Sequence, residues 1–128
     1  MPHVRNLGRV MVPVADQDAA IAFYTQKLGF TKTSDVPFGD GDRWVEVSPP
    51  GGGASIALVT PPPGAPGPGV MTNIALDSTD PRADHEELKA AGVDVDEEFM
   101  GGDGVVPPMF FFRDGDGNTL LLVEAPPA

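Results

Sequence analysis

One order of landmarks occurs twice in this chain, 64 positions apart, and that repeat restricts the possible folds more than any other property. Asp16 stands before a helix-forming run that stops at Gly29, and Asp80 stands before a second run that stops at Gly92. An aspartate can accept a hydrogen bond from the orphan amides of a first helical turn, and a glycine ends a helix at little steric cost. In the first helix Ala20, Ile21, Phe23, Tyr24 and Leu28 form an apolar stripe. In the second, Pro81 takes the first helical position and Ala83 to Ala91 follow. An alternating segment precedes each helix. In Leu7 to Val14, Val10, Val12 and Val14 share one face and Arg9, Met11 and Pro13 the other; Val70 to Asp77 alternates in the same way. Three short strand-like runs follow each helix: Phe30 to Val36, Arg43 to Val47 and Ala54 to Thr60, then Val93 to Phe99, Met109 to Arg113 and Thr119 to Glu124.

The repeat predicts an α+β fold of two tandem βαβββ modules, residues 1–60 and 70–128, joined by a Pro/Gly linker at 61–69. Prolines without amide donors keep that linker out of helix and interior strand. A module of about 60 residues buries little surface alone, so the two are expected to form one curved mixed sheet or open barrel with helices outside. The 16 Gly and 15 Pro would suggest disorder if they were dispersed, but most lie in the linker and turns.

The rest of the composition narrows function. No apolar stretch approaches the roughly 18 residues that cross a bilayer, and Met1 to Val10 lacks the apolar core of a signal peptide. With no cysteine there is no disulfide, thiolate nucleophile or sulfur-bound metal, which suits a cytoplasmic protein. With no bilayer-crossing stretch no membrane partner is expected, and a net charge of −11 disfavours nucleic acid; it attracts a cationic ligand or simply keeps the chain soluble.

Several local patterns suggest chemistry and then fail its requirements. His3 lies near a fraying terminus, and His85 sits among Asp84, Glu86 and Glu87, where a solvated helix face is expected. His85-Glu-Glu-Leu-Lys89 has Lys89 where a zinc protease helix needs its second histidine. Asp114-Gly-Asp-Gly-Asn118 begins like a calcium loop but continues with Thr119 in the sixth position and Ala125 in the twelfth, so a hairpin turn is expected. Gly101-Gly-Asp-Gly104 lacks the Lys-Ser/Thr of a phosphate loop and reads as a flexible loop at a cleft rim.

The repeated βαβββ unit, the run Val14-Ala-Asp-Gln-Asp-Ala-Ala-Ile-Ala-Phe-Tyr-Thr-Gln-Lys-Leu-Gly-Phe30, and Phe112-Arg-Asp-Gly-Asp-Gly-Asn118 before a final apolar strand resemble the vicinal oxygen chelate superfamily. This is also called the glyoxalase/bleomycin resistance/dioxygenase family. The resemblance implies a homodimer with a ligand cleft and, in many members, a divalent metal held by first-strand and fourth-strand side chains. Carried onto this chain, those positions are Arg9, Ala57, Asn73 and Leu121, which offer no usual ligand set. The expectation is therefore no metal and no cofactor.

Strand alternation assigns a ligand-binding lining of Arg9, Met11, Trp44, Glu46, Ala57, Asn73, Asp77 and Leu121. The 64-residue offset adds Phe110 and Phe112, which stand in the second module at the positions of Glu46 and Ser48. The same residues also suit a filled barrel, with Arg9 and Glu46 paired and Trp44 and the phenylalanines serving as core or dimer interface. The leading expectation is metal-independent binding of a small organic molecule, an antibiotic or metabolite sequestered in a dimer cleft. The alternatives are an enzyme of lyase, isomerase or dioxygenase type, and a domain whose sheet serves only dimerisation. The enzyme would use Glu46 as a base beside Arg9, or a non-standard metal set such as Glu46, Asp77 and Glu124.

Overall fold

A computed structural model describes residues 2–126, and the chain divides by its contacts into two compact units, Met1–Pro68 and Gly69–Ala128. The first contains β1 (Arg9–Pro13), α1 (Gln17–Gln26), β2 (Thr31–Phe38), β3 (Asp42–Ser48) and β4 (Ser55–Val59). The second contains β5 (Met71–Ser78), α2 (Pro81–Ala90), β6 (Asp94–Val95), β7 (Met109–Arg113) and β8 (Thr119–Glu124). The chain is α+β with two βαβββ modules. Its ladders form two open four-stranded sheets, ordered β1-β4-β3-β2 and β5-β8-β7-β6. The pairs β1/β4 and β5/β8 are parallel, and the other pairs are antiparallel.

The predicted caps form at both helices. Asp16 accepts from the Ala19 amide and Asp80 from the Ala83 amide, each at 3.1 Å, and Gly29 and Gly92 follow with φ of +74° and +84°. Each helix covers one face of its own sheet. Under α1 the first core joins Val12, Val45, Val47, Ile56 and Leu58 to Tyr24, whose ring meets those of Phe23 and Phe30 edge-on. The second core joins Phe110, Phe112, Leu120 and Leu122 to Leu88.

His85 belongs to this core, which corrects its expected place on a solvated face. Pro81, His85 and Leu88 share the helical spacing of one buried stripe. The imidazole hydrogen-bonds the Asp96 carbonyl through Nε2 at 2.7 Å and packs between Phe99 and Phe110. The acidic neighbours in the sequence concealed this because they lie on other faces of the same helix.

The Asp114–Asn118 segment is a turn with buried ends, Asp114 and Asn118, whose side chains are spent on backbone amides rather than on an ion. Asn118 Oδ1 accepts from the amides of Gly69 and Val70, and Asp114 Oδ1 accepts from Asp116 and Asn118. The turn between β7 and β8 thereby fixes where the chain enters β5. The expected strand Val93 to Phe99 is reduced to two residues, with one further bridge from Met100 to Met109. Among the described residues no helix is long and apolar enough to cross a membrane.

Candidate functional site

The face of each sheet away from its helix carries the candidate site residues, and the two faces are built differently. In the first sheet the ladder aligns Met11, Ala57 and Glu46 across β1, β4 and β3. Arg9 lies two residues from Met11 on the same face, so its side chain crosses β4 to reach Glu46. Neighbouring strands are about 4.8 Å apart, so that crossing spans roughly 10 Å. Ser55 and Ala57 are the β4 residues in the way, and only small side chains leave the path clear. Arg9 Nε donates to Glu46 Oε2 at 3.2 Å, and Trp44 Nε1 donates to the same oxygen at 2.7 Å. The Glu46 side chain is only 14% exposed, while that of Arg9 is 53% exposed. The carboxylate is thus fixed from two sides, and the guanidinium is anchored at one end. In β2, Val36 pairs with Trp44, and the Phe38 ring lies 6.1 Å from the indole at 53°.

At the edge of this sheet, Arg43 binds Asp35 through Nε and Nη2 and Asp18 through Nη1. Its hydrogen bonds, joined by one from Lys32, hold the Asp35 carboxyl down at about 2 from the usual 3.8. This group clasps β2, β3 and α1 together and lies apart from the Arg9–Glu46 pair. In the second unit Arg113 ion-pairs with Asp94 and Asp96, and its hydrogen bonds lower the Asp94 pKa.

The second sheet presents an apolar hollow of about 250 Å³ lined by Met71, Asn73, Ile74, Ala75, Phe111 and Leu121. The β5/β8 ladder is irregular between Met71 and Ala75, and within that bulge Asn73 takes a φ of +59°. Asparagine tolerates this left-handed conformation better than other non-glycine residues. Thr72 supports the bulge: its hydroxyl donates to the Thr119 carbonyl at 2.7 Å and accepts from the Ile74 amide at 3.1 Å. The asparagine side chain has no hydrogen-bond partner among the described residues and lines the hollow.

Arg9, Met11, Trp44, Glu46 and Ala57 share the open face of the first sheet, with Arg9, Trp44 and Glu46 joined into one cluster. Asn73, Asp77 and Leu121 share the open face of the second. Phe110 and Phe112 do not: both are fully buried under α2. The ladders explain this correction. Glu46 pairs with Ala57 and Phe111 pairs with Leu121, so β3 and β7 correspond at 65 residues rather than 64. One residue of slip turns a strand side chain to the other face, and the lining residue is Phe111. Phe111, Met71 and Ile74 in the second unit, and Val36 and Phe38 in the first, were missed. An asparagine within an alternating apolar run was the available signal for the bulge.

The donor set does not fit a divalent metal. At the four matched positions stand a guanidinium already paired with Glu46, a buried methyl, a single amide and an alkyl chain. Among the described residues no three His, Cys, Asp or Glu side chains converge for an ion. The set Glu46, Asp77 and Glu124 also fails within the second sheet. Asp77 aligns with Val123 and Glu124 with Ser78, so the two carboxylates project to opposite faces.

The model of the Glyoxalase/Bleomycin resistance protein/Dioxygenase superfamily matches residues 6–122. The uncharacterised protein YetH of Bacillus subtilis (strain 168) is 31% identical over 123 residues, spanning 94% of this chain and 99% of that protein. The crystal structure of TnmS3, an antibiotic binding protein from Streptomyces sp. CB03234, is similar at a TM-score of 0.84 and 30% identity, covering 98% of this chain and 100% of that one. A superfamily member from Sphaerobacter thermophilus DSM 20745 gives a TM-score of 0.86 at 29% identity, covering 95% and 98%.

Proposed function

The chain belongs to the glyoxalase/bleomycin resistance/dioxygenase superfamily, and on that premise we propose that it binds a small organic molecule without a metal and sequesters it unchanged. The observation that carries this reading is the occupancy of the four family ligand positions by Arg9, Ala57, Asn73 and Leu121, with Arg9 committed to Glu46 rather than to an ion. Similarity to an antibiotic-binding protein along nearly the whole chain supports an antibiotic or metabolite as ligand. The apolar hollow around Phe111 and Leu121 supplies contact area, and Asn73 supplies a polar group that orients a bound molecule. The working unit in this proposal is a homodimer. The net charge of −11 assists the approach of cationic compounds and discourages anions at long range.

The test is calorimetric titration of chelator-treated and untreated protein with a chemically broad set of antibiotics and metabolites, followed by mass spectrometry of the recovered compound. The expected outcome is saturable binding, equal in both preparations, with the compound returned at its original mass. Binding that requires an added divalent ion, or a compound returned altered, would replace this reading with the enzymatic one. Sedimentation checks the dimer, and a monomer at micromolar concentration would remove it.

A further inference from the structure

We infer that the open face of the first sheet is a subsite for an uncharged planar aromatic molecule whose edge carries an acceptor oxygen beside a donor N–H, the pattern of an aromatic carboxamide. This rests on the ligand-binding reading above and names the chemistry of its ligand.

The Arg9–Glu46 pair is half used. Both of its hydrogen bonds, from Arg9 Nε and Trp44 Nε1, end on Glu46 Oε2. Glu46 Oε1 and the Arg9 Nη groups have no hydrogen-bond partner among the described residues. A fixed acceptor and an anchored fork of donors therefore stand side by side on one sheet face. A carbonyl oxygen answers the guanidinium, and an adjacent N–H answers the carboxylate.

Charge selects the ligand further. The pair is neutral as a unit, so a cation drawn to Glu46 meets Arg9, and an anion drawn to Arg9 meets Glu46. A dipolar, uncharged edge satisfies both without displacing either from its partner. The long-range attraction of the acidic chain for cations does not change this contact preference.

The flat part of the ligand has a wall to lie on. Trp44 is held by its own hydrogen bond to Glu46, and beside it Val36 and Phe38 are 50% and 59% exposed. The Phe38 and Trp44 rings form an angled pair along the same face as the ion pair. Aromatic rings gain most from faces and edges of other rings at such separations.

Because Trp44 is the single tryptophan, its indole N–H gives one assignable proton–nitrogen resonance for this face. The probes are 2-naphthamide, the cation 2-naphthamidine, the anion 2-naphthoate and 2-ethylnaphthalene, which share a ring system and differ at the edge. Each is titrated into the full chain by calorimetry and by nuclear magnetic resonance. The expected result is a shift of the indole resonance with 2-naphthamide and binding about tenfold tighter than for the other three, the scale of hydrogen bonds to charged partners. Arg9→Met should abolish that advantage over 2-ethylnaphthalene and Arg9→Lys should restore part of it, with melting curves confirming that both variants fold. Tightest binding by the amidine or naphthoate would overturn the inference. So would an indole resonance that stays fixed while calorimetry registers binding, which would leave the broader ligand-binding reading standing. An indole shift produced by raising protein concentration alone would assign the face to a second copy of the chain. Absence of binding by every probe and by the wider antibiotic set would defeat both readings.

Discussion

The open faces of the two sheets share one backbone plan and have divergent chemistry. The first presents an ion pair bridged over Ser55 and Ala57 beside Trp44, and the second presents an apolar hollow with one asparagine on a bulge. Where the first face has Glu46 opposite Ala57, the second has Phe111 opposite Leu121. Both modules keep one frame because ladder pairing and core burial constrain the backbone and the helix-facing side chains. The side chains of the other face are free to specialise. The first face thus sets a charged pair beside an aromatic wall, and the second sets one amide in an otherwise apolar hollow.

The largest expected effect tests which phenylalanine belongs to which face. Phe110→Ala and Phe112→Ala should each lower unfolding free energy by about 3–5 kcal/mol, while Phe111→Ala should cost about 1 kcal/mol. Equal losses in denaturant melts for all three would refute the assignment of Phe111 to the lining.

The bulge comes next. Asn73→Val forces a β-branched residue into positive φ and should destabilise by about 1–3 kcal/mol, whereas Asn73→Gly should be stability-neutral while weakening ligand binding. A neutral Asn73→Val variant would mean that β5 is regular and the two faces are less different than described.

In the first module, Glu46→Ala removes the shared partner of Arg9 and Trp44. The expected loss is about 1 kcal/mol, kept small by the exposure of Arg9, together with a change in Trp44 emission. Unchanged emission would show that the indole is not held by Glu46.

The smallest effect is set by pH at the clasp of β2 and β3. The folded pKa of Asp35 lies near 2 against a usual 3.8, so its stabilising contribution is complete above 3.8 and fades as pH falls towards 2. Asp35→Asn should lower the melting temperature slightly near neutrality, where that contribution is complete, and flatten the acid part of the profile so that the two proteins converge towards pH 2. An identical acid slope in the variant would assign it to other carboxylates, such as Asp94 beside Arg113.

Much of the fold was legible because its signals are local. Asp16 and Asp80 act as caps through side chains that reach only three residues ahead, and Gly29 and Gly92 end helices by their own backbone freedom. Legibility declined where a residue answers to distant partners. His85 looked solvated among acidic neighbours until Phe99 and Phe110 enclosed it. The edge strand β6 contracted to two residues beside β7.

The sequence by itself determined two βαβββ modules, the open-face placement of Arg9, Met11, Trp44, Glu46 and Ala57, and a poor set of metal donors. Helix and strand periods and the chemistry of side chains are properties of the chain. Only the tertiary structure decided that Phe111 rather than Phe110 and Phe112 lines the second face, that Asn73 stands on a bulge, and that Trp44 shares the Glu46 oxygen that Arg9 reaches across a strand of small residues. Each depends on the register between paired strands, and a shift of one residue reverses the face on which a side chain lies.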